Sequence, residues 1–118
     1  MTNLGKNALV HVAHEWRERW RDLCEGVLRL DRQAELDDMD VYRFADGGSI
    51  GVVYRDPATL PTPELYKSAV WLEFEVDDLE GTIGQLVALG MPPLDHFERS
   101  HRYFRGPGGP IFRLAQKT

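Results

Sequence analysis

His11 and His14 form a His-x-x-His pair, Glu73 and Glu75 flank Phe74 just after Trp71, and Arg113 interrupts the apolar run that follows the glycine-rich stretch RGPGGP at 105–110. Each grouping suggests a chemistry. Imidazoles can share a divalent cation, a carboxylate in apolar surroundings can titrate near neutrality and move protons, and a glycine-rich loop can cradle a phosphate. A phosphate loop, however, needs N–H groups converging at a helix N-terminus, and no helix is expected after residue 110; the stretch reads as a tight turn in which Gly108 and Gly109 take positive φ. His11 and His14 fall at a strand-to-helix junction, where they should point apart. His96 and His101 fall on outer strands. No metal site is therefore expected from the four histidines. Cys24, the only cysteine, has the spacing of a core residue on a helix and excludes an intrachain disulfide.

Charge narrows the partners. The chain of 118 residues carries a formal net charge of -5, so a nucleic acid would be repelled overall. Basic residues gather at RERWR (17–21), but Glu15, Glu18, Asp22 and Glu25 lie within a helical turn of them, the pattern of a solvated helix face. No apolar run approaches the roughly 20 residues that span a bilayer, and MTNLGKNALV shows no secretory pattern, so a cytoplasmic location and no membrane partner are expected.

The elements that must position these residues come in a repeated order. ALVHVA (8–13) alternates as a strand. HEWRERWRDLCEGVL (14–28) places Trp16, Trp20, Leu23, Cys24 and Val27 on one helical stripe, with Gly26 as the expected stop. Three strands follow, around 27–36, 40–45 and 49–54, separated by DDMD and DGG turn signals. Prolines 57, 61 and 63 then mark a linker at about 57–68. AVWLEFEV (69–76) begins the order again, followed by a helix capped by aspartate, with a stripe of Leu79, Ile83, Leu86 and Val87 and an end at Gly90. LDHFER (94–99), HRYFR (101–105) and IFRLAQ (111–116) complete the second half. An offset of 64 lays Ala8, Val10 and Val12 on Leu72, Phe74 and Val76, while the helical stripe prefers 63; Gly47, Gly48 and Ile50 lie over Gly108, Gly109 and Ile111. Each half is strand, helix, strand, strand, strand, with one sheet face under its own helix and the other awaiting a partner or left as a cleft.

FEVDDLEGTIGQLVALG followed by YFRGPGGPIFRLAQ resembles the vicinal oxygen chelate superfamily, which includes glyoxalase I, the bleomycin-resistance proteins and the extradiol dioxygenases. The likeness spans essentially the whole chain and is stronger in the second half. It implies an α+β fold of two βαβββ modules, about 6–56 and 69–117, forming one domain whose mixed sheet curves into a cup with the helices outside. Metal-dependent members hold a divalent ion through a histidine on each module's first strand and a glutamate on its last. Carried over, the histidine places fall on Trp71 and on Asn7 or Ala8, and the glutamate places on Arg113 and on Val52 or Gly51. None of these is a good ligand, so no metal and no cofactor are expected.

If Leu72, Phe74 and Val76 face the helix, alternation turns Trp71, Glu73 and Glu75 the other way, and likewise Ile111, Arg113 and Ala115, with Leu9 and His11 from the first strand. The resemblance implies that the first and last strands of a module are neighbours, so that Arg113 reaches the ring of Trp71 or the carboxylate of Glu73. Trp71, Arg113, Glu73, His11 and Tyr103 are the expected ligand-binding residues, and Glu73 and Glu75 the candidates for any acid–base step. The facing of Tyr42, Arg43 and Tyr103 is left open by the pattern. The resemblance implies a metal-independent binder of a small organic molecule, acting as a homodimer, with antibiotic or metabolite sequestration as the nearest analogue. Two alternatives stand beside it: a lyase, isomerase or dioxygenase-type enzyme of the same superfamily, and a ligand-free structural or regulatory dimer.

Overall fold

The computed structural model describes residues 2, 6–66, 72–94 and 102–117, in two compact units, 1–60 and 61–118. Trp71, His96 and His101, and all but the start of the strand expected at 94–99, lie outside the described residues.

The first unit runs β1 (Asn7–Ala13), a 3₁₀ turn (His14–Trp16), α1 (Arg17–Arg21), a π-helical turn (Asp22–Val27), β2 (Asp31–Glu35), β3 (Met39–Arg43) and β4 (Ser49–Arg55). Its sheet has the order β1-β4-β3-β2, with β1 parallel to β4 and the other pairs antiparallel. This is a βαβββ unit. Alternation sends Val10 and Val12, Ile50, Val52 and Tyr54, and Asp40 and Tyr42 to one face, and burial follows it: Val12, Val52, Asp40 and Tyr42 have no exposed surface. Trp20, Leu23 and Cys24 of the helical segment are equally buried, as the stripe predicts, whereas Trp16 is only half-buried.

Gly26 does not end the helix. It lies within the π-helical turn, where Leu28 N–H donates to Leu23 O and Leu30 N–H to Cys24 O; the reversal falls on Arg29, at φ 56°. The counterpart of Gly90 (φ 83°) is therefore Arg29. A widened turn accommodates the extra chain length while keeping Leu23, Cys24 and Val27 inward.

The proline-rich stretch is less bare than expected. Pro57–Thr59 forms a 3₁₀ turn whose cap, Asp56, accepts from Ala58 N–H at 3.0 Å, and Pro63 opens the one-turn α2 (Pro63–Tyr66). Proline is tolerated at a helix start because the N–H it lacks would have no partner there.

In the second unit β5 (Leu72–Val76), α3 (Leu79–Ala88), β6 (Arg102–Arg105) and β7 (Ile111–Gln116) give a sheet of order β5-β7-β6, with β5 parallel to β7. Asp78 caps α3 by accepting from Gly81 N–H at 3.1 Å. Leu86 is fully buried and Thr82 nearly so, while Val87, expected in the stripe, is half-exposed at its edge. Phe74, Phe104, Phe112 and Leu114 form the core, with the Phe104 and Phe112 rings stacked at 5.5 Å.

The 105–110 stretch is the β6–β7 hairpin turn. Gly106 N–H donates to Pro110 O at 2.7 Å, Gly109 N–H to Gly106 O at 2.9 Å, and Gly108 and Gly109 take φ of 86° and 128°. A Cβ on Gly109 would collide with the Tyr66 ring. Among the described residues no helix is long and apolar enough to cross a membrane.

Two substitutions test the reversals. Gly109→Ala meets both a disfavoured φ and the Tyr66 ring, and should lower stability by about 1–3 kcal/mol. Arg29→Gly should raise it by about 1 kcal/mol, because relief of the left-handed conformation exceeds glycine's greater loss of backbone entropy. Urea unfolding midpoints check both.

Candidate functional site

The polar residues expected from the second half gather on the helix-distal face of its sheet. Strand register sets Glu73 of β5 opposite Arg113 of β7, and Arg113 opposite Tyr103 of β6. Partners in register share a face, so the three side chains form a row across the sheet. Arg113 spans it: Nη2 donates to Glu73 Oε2 at 3.1 Å and Nη1 to the Tyr103 hydroxyl at 3.3 Å. These bonds, Tyr103's first and then Glu73's, hold the guanidinium pKa above its ordinary value, so Arg113 is a permanent cation. The pair is not sealed in: the Arg113 side chain is 31 % exposed and that of Glu73 39 %. Tyr103 is buried.

The other expected residues divide. Glu75 lies on the same face, opposite Ala115, and is exposed. Trp71 is outside the described residues. His11 belongs to the first unit, half-buried on β1 opposite Val53. Tyr42, left open by the sequence, is fully buried on the helix side, with its hydroxyl donating to Glu25 Oε2 at 2.8 Å, whereas Arg43 is exposed.

Pairing also settles how the halves correspond. Ala8 is opposite Ile50 and Leu72 opposite Phe112, so Ile50 matches Phe112; the expected match to Ile111 is one residue off, because Pro110 lengthens the second turn. Gly51, and not Val52, is then the counterpart of Arg113. The row Glu73–Arg113–Tyr103 becomes Leu9–Gly51–Val41 in the first unit, without charge. Leu9 lies over Gly51 so closely that a Cβ there would come within 2.7 Å of Leu9 Cδ1.

A second polar cluster escaped the sequence reading. Arg17 and Arg21 were expected to pair along their own helix, and Arg21 does sit 3.5 Å from Glu18. Their principal partner is Asp40 of β3, which has no exposed surface. Arg17 Nη2 lies 2.9 Å and Arg21 Nε 2.8 Å from its oxygens, and the Tyr54 hydroxyl donates to it at 3.0 Å. Arg21 also bonds Glu35, and Arg17 donates to the carbonyls of Leu36 and Asp37 while stacking over the Tyr54 ring at 4.8 Å. Burial pushes the Asp40 pKa up, but the bonds from Arg21, Arg17 and Tyr54 outweigh it and bring it down to about 2. The signal in the sequence was parity: alternation sets Asp40 on the same face as Tyr42, and on a buried face a lone carboxylate needs cations.

No protein-family profile and no curated protein matches the chain by sequence. Solved structures do. A glyoxalase/bleomycin resistance protein from Albidiferax ferrireducens superposes with a TM-score of 0.68 at 18 % identity, covering 98 % of this chain and 100 % of the other. The fosfomycin resistance protein FosX from Mesorhizobium loti gives 0.68 at 17 %, covering 100 % and 94 %, and TnmS3, an antibiotic binding protein from a Streptomyces species, gives 0.66 at 17 %, covering 99 % and 98 %. The fold is that of the vicinal oxygen chelate superfamily.

The metal positions of the vicinal oxygen chelate fold can now be tested on this chain. Arg113 places a cation, with no acceptor, where a glutamate would be needed, and its counterpart Gly51 has no side chain. Asn7 is turned to Ser49, whose Oγ donates to Asn7 Oδ1 at 2.8 Å. Among the described residues no three His, Cys, Asp or Glu side chains are grouped to hold an ion. These residues do not fit a metal.

Asp40 generates a prediction with a definite sign. A carboxylate whose pKa falls from about 3.8 to about 2 on folding contributes stability that is complete above pH 4 and is lost as the pH falls to 2. That contribution is about 2 kcal/mol. Asp40→Asn should lower stability at pH 7 by about 3–5 kcal/mol by removing the buried counter-charge that Arg17 and Arg21 share. The loss should shrink between pH 4 and pH 2, as measured by urea unfolding of both proteins across that range.

Proposed function

We propose that this chain binds a small organic molecule on the helix-distal face of its second sheet without a metal ion, and that it works as a homodimer in the cytoplasm. The carrying observation is the Glu73–Arg113–Tyr103 row: a fixed cation, held from both sides on the middle strand of its sheet and one-third exposed. A guanidinium so restrained loses little further freedom when it meets a ligand oxygen, which favours affinity. Trp71 precedes Glu73 by two residues, and we assign it the role of a planar stacking surface on the same alternation. The antibiotic binding and fosfomycin resistance proteins that share the fold support the ligand class. A lone, buried Cys24 suits a reducing compartment.

Screening a small-molecule library by thermal shift and tryptophan fluorescence should yield compounds that quench Trp71. Arg113→Met should abolish their binding and leave the melting temperature of the free protein unchanged. Unaltered binding in that variant, or one tightly held metal ion per chain in protein purified without chelator, would overturn the proposal. Sedimentation should give a dimer.

A further inference from the structure

We infer that the group this face selects is uncharged and presents a hydrogen-bond acceptor beside a hydrogen-bond donor, as a carboxamide does. The inference rests on the binding function proposed above and names its ligand class.

Charge balance decides against the simpler choices. Arg113 alone would call for an anion, but its charge is already met by Glu73 at 3.1 Å, and the next charges on the same face, exposed Glu75 on β5 and half-buried Arg105 on β6, balance one another. A carboxylate would have to share the Arg113 guanidinium with Glu73, and like charges so placed repel. A cation would suit the glutamates but would be pressed against a guanidinium that is never neutral. The overall charge of -5 thus gives no guide to the ligand.

The unused bonding capacity shows what remains. A guanidinium has five N–H donors, and among the described residues Arg113 uses Nη1 toward Tyr103 and Nη2 toward Glu73. Glu73 accepts through Oε2, and among the described residues Oε1 accepts from nothing. Donors and an acceptor therefore lie side by side on one ion pair. A carboxamide answers both, its carbonyl accepting from Arg113 and its N–H donating to Glu73, without separating the pair. Specificity of this kind comes from bonds left unmade by the wrong ligand.

Benzamide, benzoate and benzylammonium, which share a ring and differ in charge, test the point. They are titrated into isotope-labelled protein while the Arg113 Nε–Hε resonance is followed. Benzamide should move it at concentrations at least fivefold below those needed for the two ions, with less than about a twofold change in apparent Kd between low and high salt. Glu73→Gln, which uncovers the guanidinium charge, should reverse the order and strengthen benzoate binding about tenfold. If the unaltered protein prefers either ion, or if Glu73→Gln leaves the order as it was, the inference is overturned while small-molecule binding stands. No response to any of the three also overturns it; if the library screen is empty as well, the binding function falls with it.

Discussion

The parallel pairing of the first and last strands within each unit is the constraint on which the rest depends. A parallel pair needs a crossover, and the crossover supplies the helix that covers one face of the sheet. Because β5 and β7 pair in register, Glu73 and Arg113 are brought together from forty residues apart, and the same register puts Phe74, Phe112 and Leu114 under α3. A slip of one residue would exchange the faces, placing phenylalanines in solvent and a guanidinium against the core. The geometry of the candidate site is thus secured by the hydrophobic pattern of its own strands.

In the first unit a different interaction ties helix to sheet. Asp40 is the only charged residue among the fully buried side chains described, and it is met by two guanidinium groups and a tyrosine hydroxyl. Desolvating these charges is offset by this bonding, which leaves one buried donor, Arg17 Nε, without a partner among the described residues. Arg17 extends the contact to the carbonyls at 36 and 37, so the turn between β2 and β3 is fixed from the helix side. The second unit uses aromatic packing and the Asp78 cap instead. Both units pair their first and last strands in parallel, and each is stabilised internally by different forces.

Much of this was legible. Alternation in residues 72–76 and 111–116 predicted which side chains share a face, and the strand adjacency implied by the resemblance left Glu73 or Trp71 as the partner of Arg113; the Glu73 contact is present. Gly108 and Gly109 announced their turn. What failed was register where lengths differ. Gly26 looked like a helix end because glycine usually is one, but the stripe through Val27 asked for more helix, and packing placed the left-handed reversal on Arg29 instead. Counting from the glycines misaligned Ile50 with Ile111 because Pro110 adds a residue that only strand pairing exposes. Asp40 was hidden for another reason: its partners lie about twenty residues away, and local acids offered the arginines an equally good pattern in one dimension.

Cys24 has a practical consequence. It has no exposed surface, and burial first, with Glu25 and Asp40 nearby, pushes its thiol pKa to about 12. At neutral pH almost none of it is thiolate, the form that attacks electrophiles. A cysteine introduced on the surface would thus be the one fast-reacting thiol in the molecule, and a fluorophore or spin label could be attached at a chosen spot without first removing the native sulfur.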